Sequence, residues 1–179
     1  MDLKAKYKKE VVANIKKKFG FKNDLRVPRI KKVVINTGIG KLREEKEREE
    51  IKKMLELIAG QKPQPCLAKK AIASFKTRQG LIIGFRVTLR GKRMYDFLER
   101  LVWIAIPRMR DFRGIDLKSI DEGGNLNIGI REHIIFPEMS GEDVRKMFGL
   151  QITIVTNAET REEAVELFRE LGFPLKRQA

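Results

Sequence analysis

The segment from Val33 to Lys41, VVINTGIGK, places an apolar run directly before two glycines and a lysine. A strand that ends in glycines before a helix is typical of phosphate-binding loops, whose backbone N–H groups hold a nucleotide. A dinucleotide-binding loop needs a third glycine, and a P-loop needs Gly-Lys-Ser/Thr, whereas Leu42 follows the lysine here. The next helix also opens with Glu44 and Glu45, which would repel a phosphate. The sequence therefore argues against a nucleotide site.

Side chains that could catalyse a reaction or bind a metal are few. His133 is the only histidine and Cys66 the only cysteine, and no zinc-ligand spacing is present. A lone histidine is more often a structural hydrogen-bonding residue than a base, and we expect Cys66 to be a small buried residue. The neighbouring carboxylates Asp121 and Glu122 lie in loop-like sequence. We predict that the protein is not an enzyme and has no metal and no cofactor.

The charge of the chain is large, positive and concentrated. The net charge is +15; residues 1–32 hold 12 Lys/Arg against three Asp/Glu, and residues 69–93 hold eight against none. Two concentrated basic segments are typical of a surface that binds a polyanion. A membrane surface fits less well than RNA or DNA, because the basic stretches lack the Trp/Leu-rich opposite face of an interfacial helix. The simpler alternative is that the lysine-rich faces only keep the protein soluble.

The sequence also favours a cytoplasmic protein without a membrane partner. No apolar run approaches the ~20 residues that a membrane-spanning helix needs. The N-terminus lacks the apolar stretch of a secretory signal. A single cysteine cannot form an internal disulfide, which fits a reducing compartment.

Hydrophobic periodicity predicts the elements that must position the basic segments. Spacings typical of helices predict a basic N-terminal helix over 2–19 and further helices within 41–60, 94–107 and 160–172. Alternation predicts strands within 26–36, 81–91, 125–131 and 150–156, and a short strand precedes a long basic loop at about 69–80. Because each alternating strand has one polar face, we predict an α+β fold in a single domain, 1–179. Helices would pack on one face of an antiparallel β-sheet, and the other face and the loop would face RNA.

The predicted loop and the polar strand faces have the composition of an RNA surface. In the loop, cations flank Phe75, which could either stack on a base or anchor the loop to the body of the protein. No acidic residue neutralises the loop, so we expect it to stay extended until it meets RNA. On the strands, Asn36 shares a face with Lys32, and Thr88 shares a face with Arg86 and Arg90. Short polar side chains among cations suit the 2′-OH groups of folded RNA, and no DNA-recognition helix is recognisable.

Several segments in order resemble the family of the fifth bacterial large-subunit ribosomal protein, which binds 5S ribosomal RNA. The segments are VPRIKKVVINTGIG, AGQKPQPCLAKKAIASFKTRQG, VTLRG, IPRMRDFRG, REHIIFPE and FGLQITIVTNA. The resemblance runs from about Tyr7 to Pro174, with the mild departure of Ala59 where a serine is common. It implies a sheet backed by helices and a non-enzymatic role in the central protuberance of the cytoplasmic ribosome, where the protein links 5S RNA to the large ribosomal RNA.

The resemblance also implies partners and site residues. The implied partners are P-site transfer RNA, other 5S RNA-associated ribosomal proteins, and a small-subunit head protein across an intersubunit bridge formed by Arg108–Arg113 or Ile134–Lys146. The resemblance assigns Asn36, Gln61 and Thr88 to 5S RNA; from the residues themselves we add Lys32, Gly38, Lys41, Arg86 and Arg90 to this predicted site. The resemblance assigns Lys76, Arg78 and Gln79 to the transfer-RNA-binding loop, to which we add Lys69, Lys70 and Phe75. In this reading Gly38 and Gly40 let the chain turn tightly and bring its backbone close to RNA.

Two other classes of function stay open at this point. One is a free-standing RNA chaperone or regulator, although such proteins often carry disordered basic tails and this chain reads as ordered nearly to its ends. The other is an enzyme with an unrecognised site, which would need a converging acid, base or metal set that the sequence does not display.

Overall fold

Five strands form one antiparallel sheet whose alternating residues give it a buried and an exposed face. The computed structural model describes residues 3–40, 42, 44–75, 77–139 and 147–176. The strands are β1 (Ile30–Gly38), β2 (Gln64–Leu67), β3 (Ile82–Leu89), β4 (Leu126–Ile130) and β5 (Leu150–Thr156), in the order β2-β3-β1-β5-β4. The residues on the inward face of these strands, among them Phe85, Leu126 and Ile152, are buried. The predicted α+β class is confirmed.

Helices supply the other half of the core. The described part of the chain contains α1 (Leu3–Lys6), α2 (Val12–Phe19), α3 (Glu45–Ala59), α4 (Gly91–Arg100) and α5 (Arg161–Leu171). Short 3-10 turns cover Asp24–Arg26, Ala73–Phe75, Ile106–Arg108, Leu117–Ser119, His133–Ile135 and Pro137–Met139. The helix predicted within 94–107 corresponds to α4, which begins at Gly91, three residues before the predicted start, and buries Met94, Phe97 and Leu98.

The prediction gave one N-terminal helix over 2–19, whereas the structure has two α-helical segments joined by a π turn. Its apolar residues recur every fourth position from Leu3 to Ile15, so in a regular helix this stripe would rotate by about 40° at each step. A π turn at Tyr7–Val11 joins α1 to α2 and offsets this rotation, because a π turn holds more residues. Leu3, Val11 and Ile15 therefore all stay buried. A second π turn, Leu101–Ala105, continues α4 in the same way.

Carboxylates on α5 and just before it neutralise part of the basic N-terminal segment. The Lys18 Nζ lies 2.5 Å from a carboxylate oxygen of Glu166, and the Arg26 Nη2 lies 2.6 Å from one of Glu159. The same guanidinium reaches Glu163 at 3.4 Å. Some of the +9 on residues 1–32 is thus paired within the fold, whereas no described ion pair involves the second basic segment, 69–93.

A capping box with a small shift opens α5. The Thr160 Oγ1 accepts a hydrogen bond from the Glu163 N–H at 3.3 Å. The Glu163 carboxylate reaches back to the N–H of Glu159 at 3.1 Å, one residue beyond the cap. Gly172 ends the helix with a φ of 93°, a conformation that favours glycine.

Candidate nucleic-acid interface

A polar row crosses the exposed face of all five strands. Strand register places Gln64 opposite Arg86, and Arg86 opposite Asn36. Asn36 in turn faces Gln151, and Gln151 faces Gly129. Neighbouring strands lie about 4.8 Å apart, so this row spans roughly 19 Å. We call these five residues the cross-sheet row.

The exposed face carries cations and no acidic residue. Its strand positions, all within the described chain, are Lys32, Val34, Asn36 and Gly38 on β1, Gln64 and Cys66 on β2, Gly84, Arg86 and Thr88 on β3, Asn127 and Gly129 on β4, and Gln151, Thr153 and Val155 on β5. The exposed Arg90 directly follows β3. Since the chain has 24 Asp and Glu residues, their absence from this face leaves its positive charge uncompensated there.

Two pairs of side chains on this face hydrogen-bond to each other, whereas Asn36 does not. The Arg86 Nη2 donates to the Gln64 Oε1 at 3.3 Å, and the Thr153 Oγ1 donates to the Asn127 Oδ1 at 2.7 Å. The Asn36 amide is exposed and has no hydrogen-bond partner in the described structure. An amide both donates and accepts, so this group is available to a ligand.

Gln61 and Thr88, both assigned to 5S RNA by the resemblance, lie side by side. Gln61 follows Gly60, which ends α3 in the left-handed conformation with a φ of 64°. Its Nε2 donates to the backbone oxygen of Thr88 at 3.3 Å. The Gln61 side chain therefore rests on β3 with its amide nitrogen engaged, and the Thr88 hydroxyl stays on the exposed face.

Gly38 and Gly40, which are predicted to let the chain turn tightly, lie at the end of β1 and just after it. A tight turn is present, because the Leu42 N–H donates to the Ile39 oxygen at 2.9 Å. Gly38, however, is the last residue of the strand, and neither Gly38 nor Gly40 has a positive φ. The turn therefore does not depend on glycine's left-handed conformation, and what distinguishes Gly38 is the lack of a side chain on the exposed face. Lys41 lies outside the described residues.

The basic loop at 69–80 folds back on itself and is not extended as expected. Ile72 and Thr77 exchange two backbone hydrogen bonds of 3.0 and 3.1 Å. Below them, the Ala68 N–H donates to the Leu81 oxygen at 2.8 Å, and the Gly80 N–H donates to the Ala68 oxygen at 3.0 Å. The loop prolongs the β2–β3 hairpin, so backbone pairing outweighs the repulsion among its cations.

The side chains of this loop point into solvent. Lys69, Lys70, Arg78 and Gln79 are exposed, and Phe75 is 75% exposed. The alternative in which Phe75 anchors the loop to the body is therefore wrong, and its ring is open to a partner. Lys76 lies outside the described residues.

His133 and Cys66 have no catalytic surroundings. His133 is fully buried; its ring stacks on Phe148 with centroids 4.0 Å apart, and its Nδ1 accepts from the Phe148 N–H at 3.4 Å. Burial lowers the pKa of His133. Cys66 is only half-buried on the edge strand β2, which corrects the expectation that it is buried. His133 is a structural residue.

The described ranges contain neither a metal-binding cluster nor a membrane-spanning helix. No group of three or more His, Cys, Asp or Glu side chains there is arranged to hold a metal ion. No helix in those ranges is long and apolar enough to span a bilayer.

The segments assigned to the intersubunit bridge are only partly described. Arg108, Arg110 and Arg113 are exposed in the turn that follows α4. Of Ile134–Lys146, residues 134–139 are described, and Ile134 is 41% exposed.

Sequence reasoning missed the β4–β5 half of the exposed face and Gln64 on β2. Besides Gln64, it did not single out Gln151, Asn127 and Thr153, although each occupies an outward position of its strand. Alternation along β4 and β5 was the available signal. What it does not reveal is which outward residues share a row, because this depends on the register between distant strands.

Comparisons with known proteins cover nearly the whole chain. Residues 23–78 match the family model described as Ribosomal protein L5, and residues 82–175 match the model for the C-terminus of the same ribosomal family. The chain is 51% identical to large ribosomal subunit protein uL5 of Halothermothrix orenii, over 96% of this chain and 97% of the relative. It is 49% identical to uL5 of Kosmotoga olearia (98% and 96%) and 48% identical to uL5 of Rubrobacter xylanophilus (97% and 97%).

These matches confirm the predicted family, the predicted ribosomal location and the absence of an enzymatic role, because uL5 proteins are structural. With 51% identity along almost its full length and both family models in the expected order, the chain belongs to the L5 family of large-subunit ribosomal proteins.

Proposed function

We propose that this protein binds 5S ribosomal RNA with the exposed face of its sheet and links it to the large ribosomal RNA in the central protuberance. The observation that carries the proposal is the exposed face itself, where Lys32, Arg86 and Arg90 lie among uncharged polar groups without one carboxylate. Family membership independently supports association with ribosomal RNA and the large subunit.

The two kinds of side chain on this face have different tasks. The three cations neutralise phosphates, which sets affinity and its salt dependence. Asn36 and Thr88 hydrogen-bond ribose 2′-OH groups or base edges, which lie open in the wide, shallow minor groove of A-form RNA. Gly38 lets the RNA backbone approach β1 directly, and Gln61 helps to hold the Thr88 strand in place. Lys41 adds a phosphate contact.

The basic loop serves a second RNA, the P-site transfer RNA. Its cations and Gln79 are exposed, and Phe75 presents an open ring that can stack on a base or a ribose. The site comprises Lys69, Lys70, Phe75, Lys76, Arg78 and Gln79. Because the loop prolongs the β2–β3 hairpin beyond the sheet, it can reach an RNA other than the one on the sheet face.

Protein partners complete the proposal. The exposed arginines of Arg108–Arg113 favour this segment over Ile134–Lys146 for the contact with a small-subunit head protein across an intersubunit bridge. Other ribosomal proteins that associate with 5S RNA would be neighbours in the central protuberance.

Binding of the purified protein to 5S RNA, measured over a series of salt concentrations, tests the proposal. If about five phosphates are neutralised, a plot of log K against log salt has a slope near −4. Asn36→Ala and Thr88→Ala should each weaken binding by ~1–3 kcal/mol without lowering thermal stability. Normal 5S binding by both variants would move the site away from the sheet face. Sedimentation of a lysate distinguishes a ribosomal component from a free RNA chaperone, because only the ribosomal component would sediment with large subunits in a stoichiometric amount.

A further inference from the structure

Gly129, on the edge strand β4, has no evident reason within the fold to be a glycine. Its φ is not positive, and a Cβ added there would meet no atom within 4 Å. Glycine inside a strand costs stability, roughly 0.5–1 kcal/mol relative to alanine, and removes a side chain that could pack. Folding alone would therefore favour a side chain at this position.

Gly84 on β3 shows what a glycine required by the fold looks like. A Cβ added there would lie 2.7 Å from the backbone oxygen of Thr37, so any side chain would force β1 and β3 apart. Nothing comparable surrounds Gly129. The space above Gly129 is open and lies on the same exposed face as the cross-sheet row, of which it is the last member.

The neighbour of Gly129 in that row is an available hydrogen-bonding group. Gln151 on β5 is exposed, and its amide has no hydrogen-bond partner in the described structure. It stands directly between Gly129 and Asn36. The next outward pair, Asn127 and Thr153, is by contrast joined by its own 2.7 Å hydrogen bond, which engages the Asn127 Oδ1. The ligand-ready groups thus continue along one row from β1 to the edge of the sheet.

We propose that the 5S RNA footprint extends along this row across β5 to β4, a step that rests on the proposed function. The RNA backbone comes against the bare main chain at Gly129, where a side chain would hold it away. The Gln151 amide hydrogen-bonds a ribose 2′-OH or a base edge in the same minor groove that Asn36 contacts. This half of the face carries no charge, so it adds selectivity for RNA shape and little salt dependence.

Affinity measurements on Gly129→Val and Gln151→Ala in the full chain test this extension. We expect Gly129→Val to bind 5S RNA at least about tenfold more weakly, because its branched side chain fills the approach space. Gln151→Ala should lose about three- to tenfold through one missing hydrogen bond, with the salt slope of the wild type. Valine suits a strand, so the melting temperature of Gly129→Val should be equal or higher. Ala13→Val, which adds a similar side chain on the exposed surface of α2, is the control and should bind normally.

Position-specific cleavage gives a second readout that does not depend on affinity. Gly129→Cys in a Cys66→Ser background provides one attachment site for an iron chelate that generates hydroxyl radicals. Cuts in 5S RNA from this position, and none from Glu162→Cys on α5, would support the extension.

The outcomes separate the extension from the proposed function. If the wild type fails to bind 5S RNA, or if Asn36→Ala and Thr88→Ala both bind normally, the proposed sheet-face site fails. If Asn36→Ala weakens binding while Gly129→Val and Gln151→Ala bind like the wild type, only the extension to β4 and β5 is overturned.

Discussion

Asn36 lies directly opposite Arg86 in the register of β1 and β3, so one level of the exposed face holds an uncharged amide beside a guanidinium. Both side chains are exposed, and Arg86 is turned toward β2 by its hydrogen bond to Gln64. One RNA strand lying across this level would meet both groups. Their contributions to binding should nevertheless differ in kind, because only Arg86 releases counterions from the RNA.

We therefore predict that Arg86→Ala changes the salt dependence of 5S RNA binding and that Asn36→Ala does not. Arg86→Ala should make the slope of log K against log salt shallower by about 0.7–0.9, the value for one phosphate contact. Asn36→Ala should weaken 5S RNA binding at every salt concentration and leave the slope unchanged. Lys53→Ala, which removes an exposed cation from α3, is the matched control and should do neither. Equal slopes for Arg86→Ala and the wild type would show that Arg86 does not contact a phosphate.

The loop prediction concerns a different RNA. Replacing Lys76, Arg78 and Gln79 together with alanine should leave folding and 5S RNA binding nearly intact, because the hairpin is held by backbone hydrogen bonds. Large subunits should assemble with the variant protein inside them. Transfer RNA should dissociate faster from the P site of programmed ribosomes, since the loop loses two cations. Loss of 5S RNA in a two-component binding assay would instead make the loop part of the 5S site.

Phe75 allows the stacking contribution to be separated from the charge. Its ring is 75% exposed, so Phe75→Leu removes the aromatic face without uncovering a core. We predict that transfer RNA dissociates faster from Phe75→Leu ribosomes, with an unchanged dependence on salt. If the ring stacks on a base, the free energy of transfer-RNA binding should weaken by about 1–3 kcal/mol. Dissociation rates of Phe75→Leu and Phe75→Tyr ribosomes should then differ, since tyrosine retains the ring. Identical rates for the two variants would exclude stacking.

The sequence was sufficient to predict which residues share a face of a strand, but not which residues of different strands lie next to each other. Alternation correctly placed Thr88 and Arg86 on one face of β3 because periodicity is local: each side chain's face follows from its position in its own strand. Asn36 and Arg86, by contrast, are 50 positions apart, and Gln64 and Gly129 are brought into the same row only by pairing among all five strands. No local pattern encodes that register, so the cross-sheet row had to come from the structure.

The basic loop and the N-terminal helix also differ from the prediction, and in both cases the cause is local backbone geometry. The loop was expected to stay extended because its side chains repel one another, yet backbone groups such as those of Ile72 and Thr77 pair whatever the side chains are. The N-terminal segment is predicted as a helix over 2–19, but its strict four-residue apolar spacing can face the core only with a π turn at Tyr7–Val11.

His133 makes the stability of the protein sensitive to pH in a defined direction. Burial lowers its pKa below the ordinary 6.5, so the folded protein resists the proton that the unfolded chain accepts. Stability is therefore intact above pH 6.5 and falls as the pH drops below it, by up to about 1.4 kcal/mol per pH unit. His133→Phe cannot bind this proton. The variant leaves the Phe148 N–H without its acceptor, so we expect its free energy of unfolding at pH 7.5 to be lower than that of the wild type. Urea unfolding should show that this difference in free energy becomes smaller at pH 5.

Because His133 is the only histidine, no other imidazole confounds this measurement. A difference between wild type and variant that stays constant over the same pH range would show that His133 takes up protons equally in the folded and unfolded states.

The facing glycines Gly38 and Gly84 should respond to alanine in opposite ways. The two are paired across β1 and β3, but an added Cβ at Gly84 would lie 2.7 Å from the Thr37 oxygen, whereas at Gly38 it would meet nothing within 4 Å. Gly84→Ala should therefore lower the free energy of unfolding by about 1–3 kcal/mol, as the strands separate to admit the methyl group. Gly38→Ala should unfold at an equal or higher urea concentration, because alanine restricts the unfolded chain more than glycine does.

RNA binding then distinguishes the two glycines a second time. Under conditions where both variants are fully folded, Gly38→Ala should bind 5S RNA more weakly than the wild type, since its methyl group stands on the proposed contact face. Any loss of RNA binding by Gly84→Ala should come only from its lower stability, because its folded form still binds RNA. Adding RNA should therefore raise its unfolding midpoint, as it does for the wild type. If Gly38→Ala is the less stable variant and binds 5S RNA normally, then Gly38 serves the strand pairing and not the RNA.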